Sequence, residues 1–122
     1  MGTITKFTEL NAWREGHKLV LIIYKITNQF PEKERFSLTN QMQRAAVSIT
    51  SNIAEGFGRR GKQEKMQFYY MAQGSLSELQ NQLLISKDLG YLKKDKFEET
   101  AELTVTVHKL LTGLIKSIRN KE

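Results

Sequence analysis

Arg44-Ala45-Ala46-Val47-Ser48-Ile49-Thr50-Ser51-Asn52-Ile53-Ala54-Glu55-Gly56-Phe57-Gly58 reads as the second half of an amphipathic helix that begins near Leu38. Leu38, Met42, Ala45, Ala46, Ile49 and Ile53 recur at steps of three and four, which places them on one face. Gln41, Arg44, Ser48, Ser51, Asn52 and Glu55 form a polar stripe at the same period. Ser37 is the expected N-cap. Gly56 and Gly58 are expected to end the helix, because glycine accepts the left-handed conformation found past a C-terminus. The spacing therefore predicts a helix over 38–55.

Upstream, Leu10, Trp13, His17, Val20, Tyr24 and Thr27 share one face of a helix over 10–29. Pro31 stops it, since the residue before a proline avoids helical geometry. The run Leu19-Val20-Leu21-Ile22-Ile23-Tyr24 leaves no polar face for more than a turn, so a second apolar face is expected to meet another subunit. Downstream, Gly61-Lys62-Gln63-Glu64 opens a helix over 62–88, with Glu64 where the helix dipole favours an anion. Phe68, Ala72, Leu76, Leu79 and Leu83 form its stripe. Gly74, beside Ser75 and Ser77, reads as a close helix approach, because a mid-helix glycine costs up to about 1 kcal/mol relative to alanine. Leu89-Gly90 terminates this helix. Asp95 and Glu98 have the spacing of a capping box for a helix over 96–119. Phe97, Ala101, Thr104, His108, Leu111, Ile115 and Ile118 line one stripe of it, with Leu103, Val107, Leu110 and Leu114 beside them. Short connections make sequential helices antiparallel. The expected architecture is all-α, an antiparallel up-down-up-down four-helix bundle forming one domain over 1–122.

The chain has 122 residues, one proline and no cysteine. The missing cysteines exclude disulfides and thiolate chemistry. The N-terminal stretch lacks the apolar core of a secretory signal, and Leu19–Tyr24 is far too short to span a bilayer. A cytoplasmic location without membrane contact is expected. Nineteen Lys and Arg against thirteen Asp and Glu give a net charge of +6, which favours anionic partners.

Gly56-Phe57-Gly58-Arg59-Arg60-Gly61 fits the G-x-G-x-x-G pattern, but a helix rather than a strand precedes it, so dinucleotide binding does not follow. Neither His17 nor His108 has a glutamate three residues before it, which excludes the di-iron pattern of helix bundles. No nucleophile elbow and no carboxylate pair stands at a catalytic spacing. The protein is expected to be non-enzymatic and to bind no cofactor or metal. Arg44, Asn52 and Glu55, with Glu78 on the third helix, read as a polar network that fixes register or an interface. Arg44 and Glu55 lie too far apart to pair within one helix, so each is expected to find a partner elsewhere. Arg59, Arg60, Lys62 and Lys65 cluster at a loop and a helix N-terminus, the pattern for phosphate contacts. Phe57, Phe68, Tyr69 and Tyr70 stand near enough in sequence to stack on bases. Lys116, Arg119 and Lys121 form a second basic cluster at a helix C-terminus.

Gln43-Arg44-Ala45-Ala46-Val47-Ser48-Ile49 followed by Ser51-Asn52-Ile53-Ala54-Glu55-Gly56-Phe57-Gly58-Arg59 resembles the signature of the S23 ribosomal protein family, encoded within intervening sequences of 23S ribosomal RNA genes. Leu10-Asn11-Ala12-Trp13, Phe30-Pro31, Ala72-Gln73-Gly74-Ser75-Leu76-Ser77-Glu78-Leu79 and Leu89-Gly90-Tyr91-Leu92 extend the resemblance over roughly residues 7 to 118. It implies a four-helix bundle that assembles as a ring, commonly a pentamer. It also implies kinship with the basic accessory protein of diversity-generating retroelements, and it brings no enzymatic activity. Two positions depart from the pattern: Thr50 stands where the family often has proline, and Gly61 where it often has a capping serine. The expected function is an oligomeric scaffold that binds RNA or RNA/DNA hybrids. The competing expectation is an adaptor that binds a protein and no nucleic acid.

Overall fold

The computed structural model describes residues 3–121. Four helices follow one another: α1 (Asn11–Thr27), α2 (Leu38–Gly58), α3 (Lys62–Asp88) and α4 (Lys94–Arg119). Short 3-10 turns at Phe7–Glu9 and Glu32–Glu34 precede α1 and α2. Each helix packs against two others, α1 on α2 and α4, and α3 on α2 and α4. Cross-helix pairs give the directions. Thr27 at the end of α1 meets Gln43 near the start of α2. On α2 and α3, Met42 meets Ser86 and Ser48 meets Ser75. On α3 and α4, Gln73 meets Thr112 and Gln80 meets Thr104. In every pair one number rises as the other falls, so the bundle is antiparallel up-down-up-down.

Leu19, Ile23, Met42, Ile49, Ile53, Leu76, Leu79, Leu83, Val107, Leu111 and Ile115 form a closed apolar core. The stripes read for α2 and α3 lie in it, apart from Phe68, which is half-buried. On α1 the buried face is turned by one residue from the expected stripe. Ala12, Gly16, Leu19, Ile23, Ile26 and Thr27 are buried, Trp13 and Val20 sit at the border, and His17 and Tyr24 are exposed. The physical reason is Gly16. A Cβ there would lie 3.1 Å from Thr50 Cγ2, so α1 and α2 approach closely through this glycine. The expected second apolar face narrows to Leu21 and Tyr24, which are 58% and 46% exposed. On α4 the core takes Thr100, Thr104, Val107, Leu111 and Ile115, and His108 is exposed.

The helix ends also differ from expectation. Ser37 occupies the N-cap position of α2 but makes no side-chain cap bond. The Glu34 carboxylate lies 3.4 Å from the Leu38 N–H and takes that role. Helix α4 starts at Lys94, one residue before the expected cap Asp95, which therefore lies within the first turn and accepts only from the Lys96 N–H. Helix α2 continues through Gly56 to Gly58 with ordinary negative φ. Gly56 instead serves close packing: a Cβ there would lie 2.7 Å from Tyr69 Cε1. Gly74, read as the close approach, faces open space. Gly90 ends α3 with φ 81°, the left-handed geometry that glycine tolerates.

Tyr69 is 1% exposed, and burial pushes its phenol up to about 12 from the ordinary 10.0. The unfolded chain ionises this group first, so its contribution to stability is complete below pH 10 and is lost as pH rises toward 12. Denaturation midpoints measured across that window are expected to fall more steeply for the parent chain than for Tyr69→Phe. Equal slopes would show that Tyr69 does not govern the alkaline loss.

Candidate nucleic-acid interface

The antiparallel fold gathers the end of α2, the start of α3 and the end of α4 at one pole of the bundle. Two basic clusters far apart in sequence therefore become one. Lys62 Nζ donates to the Lys121 carbonyl oxygen at 2.8 Å, tying the loop to the C-terminal segment. The ends of α2, α3 and α4 carry Arg59, Arg60, Lys62, Lys65, Lys116, Arg119 and Lys121 against Glu55 and Glu64 among the described residues, and the start of α1 at the same pole adds Lys6 and Arg14 against Glu9 and Glu15. At the opposite pole Lys25, Lys33, Arg35, Lys87, Lys93, Lys94 and Lys96 face Glu32, Glu34, Asp88, Asp95, Glu98 and Glu99. There Arg35 pairs with Glu32 and Lys96 with Glu99, and the near balance of cations and acids leaves the net positive charge concentrated at the first pole.

The four expected phosphate-binding residues are not equivalent. Arg60 is exposed and has no ion pair among the described residues. Lys62 is exposed, bonded to an uncharged carbonyl, and has no ion pair among the described residues. Arg59 pairs with Glu55 at 2.9 Å and with Glu64 at 3.9 Å, and its guanidinium lies 4.8 Å from the Phe68 ring centroid. Both ion pairs are solvated and therefore weak, but the stacking fixes the side chain over the ring. Lys65 departs from expectation. Its Nζ donates to the Phe57 carbonyl at 2.7 Å and the Gly56 carbonyl at 3.2 Å, capping the end of α2. Burial, and then the nearby Lys121 charge, push its pKa down. Lys65 holds the loop in place rather than reaching a phosphate.

The aromatic neighbours sort in the same way. Tyr69 is buried and cannot stack on a base, Arg59 covers Phe68, and Lys65 Nζ lies 5.3 Å from the Phe57 centroid. Tyr70 is half-exposed. The sequence reading missed Phe7, which reaches this pole from the 3-10 turn before α1. No periodic signal marks a single aromatic residue ahead of a helix.

The expected polar network forms in part. Asn52 Nδ2 donates to the Ser48 carbonyl at 2.8 Å and to Ser48 Oγ at 3.1 Å, and Ser48 meets Ser75 across the α2–α3 seam at 2.8 Å. Arg44 and Glu78 line one concavity of about 480 Å³ with Tyr24 and Ser48, but no ion pair joins them among the described residues. Glu55 pairs with Arg59 one turn further along the chain, so its partner comes from the same segment and not from another helix or subunit.

Fold and site together define an antiparallel four-helix bundle with one strongly cationic pole. The family model of the 23S rRNA-intervening sequence proteins matches residues 8–113. The chain belongs to that family. A crystal structure from Bacteroides thetaiotaomicron, described as a protein of unknown function from the S23 ribosomal protein family, superposes with a TM-score of 0.80. It is 18% identical, and the match covers 86% of this chain and 95% of that one. That likeness shows the fold. No curated protein matches the chain. Among the described residues, no group of three or more His, Asp or Glu is placed to hold a metal, and no helix is long and apolar enough to cross a membrane.

Proposed function

We propose that this protein is a non-enzymatic, homo-oligomeric scaffold whose cationic pole binds RNA. The observation that carries the reading is the joining of two basic clusters at one pole, where among the described residues Lys and Arg outnumber Asp and Glu by five. Arg60, Lys62, Lys116, Arg119 and Lys121 have the charge and placement for phosphate oxygens, and backbone contacts of this kind bind without sequence preference. The family's tie to 23S ribosomal RNA genes favours RNA over other polyanions. The exposed apolar side chains Leu21, Tyr24 and Val47 support self-association. A ring, commonly pentameric by family resemblance, would repeat the pole once per subunit and sum the field.

The test is binding of purified protein to labelled structured RNA across a salt titration, with light scattering to report assembly. The expected result is affinity that falls steeply and log-linearly with salt, with a slope near −0.9 per neutralised phosphate on duplex (about −0.7 on single strands). No binding even at low salt would contradict the reading. It would shift support to a protein adaptor acting through Leu21, Tyr24 and Val47.

A further inference from the structure

A shallow groove of about 620 Å³ opens beside Arg59, between the 3-10 turn and the last turns of α2. Phe7, Ser51, Ala54, Glu55, Gly58 and Arg59 line it. Ser51, Ala54 and Gly58 follow one another at steps of three and four along α2, so the floor is small and flat. A Cβ at Gly58 would meet nothing within 4 Å. The wall is aromatic. Phe7 is 36% exposed, and its ring stands edge-on to Trp13 at 5.5 Å, which in turn stacks on His17 at 4.7 Å.

The turn that carries Phe7 is held on both sides. The Glu9 carboxylate accepts the Thr5 and Lys6 N–H groups at 2.9 and 3.0 Å, and Arg14 Nε donates to the Thr8 carbonyl at 3.0 Å. Phe7 is thus a fixed ring rather than a loose one. Facing the same groove, Glu55 gives Oε2 to Arg59, while Oε1 takes no hydrogen bond among the described residues. An ionised carboxylate only accepts, and this solvent-facing oxygen is open to a donor from a ligand in the groove.

We propose that the groove takes an unpaired guanine of single-stranded RNA, stacked on Phe7 and held along its donor edge by Glu55. Base stacking on an aromatic ring and hydrogen bonding to an unstacked Watson–Crick edge are how single-stranded RNA is read. Of the four bases, guanine alone presents two adjacent donors, N1–H and N2–H₂, to one acceptor group. Uracil places a single N–H between two carbonyl oxygens, which a carboxylate repels. Arg60, exposed and next along the chain from the groove-lining Arg59, is placed for a flanking phosphate. The assignment rests on the RNA-binding reading above and adds a base preference to it.

Trp13 is the single tryptophan and touches Phe7, so its fluorescence reports occupancy of the groove. The probes are the RNA hexamers UUUGUU, UUUAUU and UUUUUU, the inosine version of the first, and free GMP. The expected result is that UUUGUU binds about tenfold more tightly than UUUAUU or UUUUUU and quenches Trp13. Inosine, lacking the 2-amino group, falls between them. Glu55→Gln, at a solvated position, removes the preference while UUUUUU still binds. Phe7→Ala lowers affinity for UUUGUU about tenfold. Equal binding of all hexamers would overturn the guanine site and leave the RNA reading standing. No binding of any hexamer at low salt would overturn both. Free GMP binding as tightly as UUUGUU would overturn the assignment to RNA in favour of a mononucleotide.

Discussion

Gly56→Leu is expected to destabilise the protein by about 3 kcal/mol, the upper end of what overpacking a well-filled interior costs. Position 56 is buried in α2, and an added Cβ would stand 2.7 Å from Tyr69 Cε1 and 3.0 Å from Phe68 Cβ. Tyr69 cannot yield, because it is 1% exposed and enclosed on every side. A longer side chain must therefore push α2 and α3 apart along the pair that also carries the Ser48–Ser75 contact. Against a total stability of about 5–15 kcal/mol for a domain of this kind, the loss is large. Gly74→Ala is the matched control. Its Cβ enters open space, so the gain in helix propensity dominates, a stabilisation of about 0.5–1 kcal/mol. Urea unfolding of both variants checks the pair. A Gly56→Leu variant as stable as the parent would mean that this glycine does not set the α2–α3 approach.

Arg60→Glu combined with Arg119→Glu is expected to lower RNA affinity more than tenfold at low salt and to reduce the salt slope by roughly 2. Both side chains are exposed at the cationic pole and come from different basic clusters. The double variant thus tests whether the clusters act as one surface. Lys93→Glu with Lys94→Glu makes the same charge change at the opposite pole, where cations and acids are nearly balanced, and is expected to leave the slope close to the parent's. Lys65→Met separates loop support from phosphate binding. It removes the donor from the Phe57 carbonyl, while the Gly56 carbonyl keeps the Arg59 N–H, so the expected loss is about 1 kcal/mol of stability. The salt slope should hardly change. Equal losses of slope from both double variants would point to diffuse charge instead of a site.

Most of the bundle was legible in local pattern. The α2 and α3 stripes read correctly because a period of 3.6 with one apolar face leaves a single choice of buried side. On α1 the run Leu19–Tyr24 offered two faces, and the choice fell to Gly16, whose importance depends on Thr50 of another helix. The same holds for Gly56 and Gly74. From sequence alone a mid-helix glycine is conspicuous and a glycine near a helix end looks like a stop, yet the tertiary contacts reverse those roles. The site was half legible. A run of Arg and Lys is visible along the chain, and Arg60 and Lys62 are presented as expected. That Lys65 turns inward to cap α2, and that Lys121 comes to lie beside Lys62, are consequences of packing between distant segments.

Ultraviolet cross-linking of the intact protein to thiouridine-substituted structured RNA, followed by mass spectrometry of the joined peptides, tests the central claim most directly. The account predicts adducts confined to peptides spanning residues 55–70 and 114–121, together with the segment around Phe7. Adducts concentrated instead on residues 32–40 and 91–97, at the opposite pole, would contradict it.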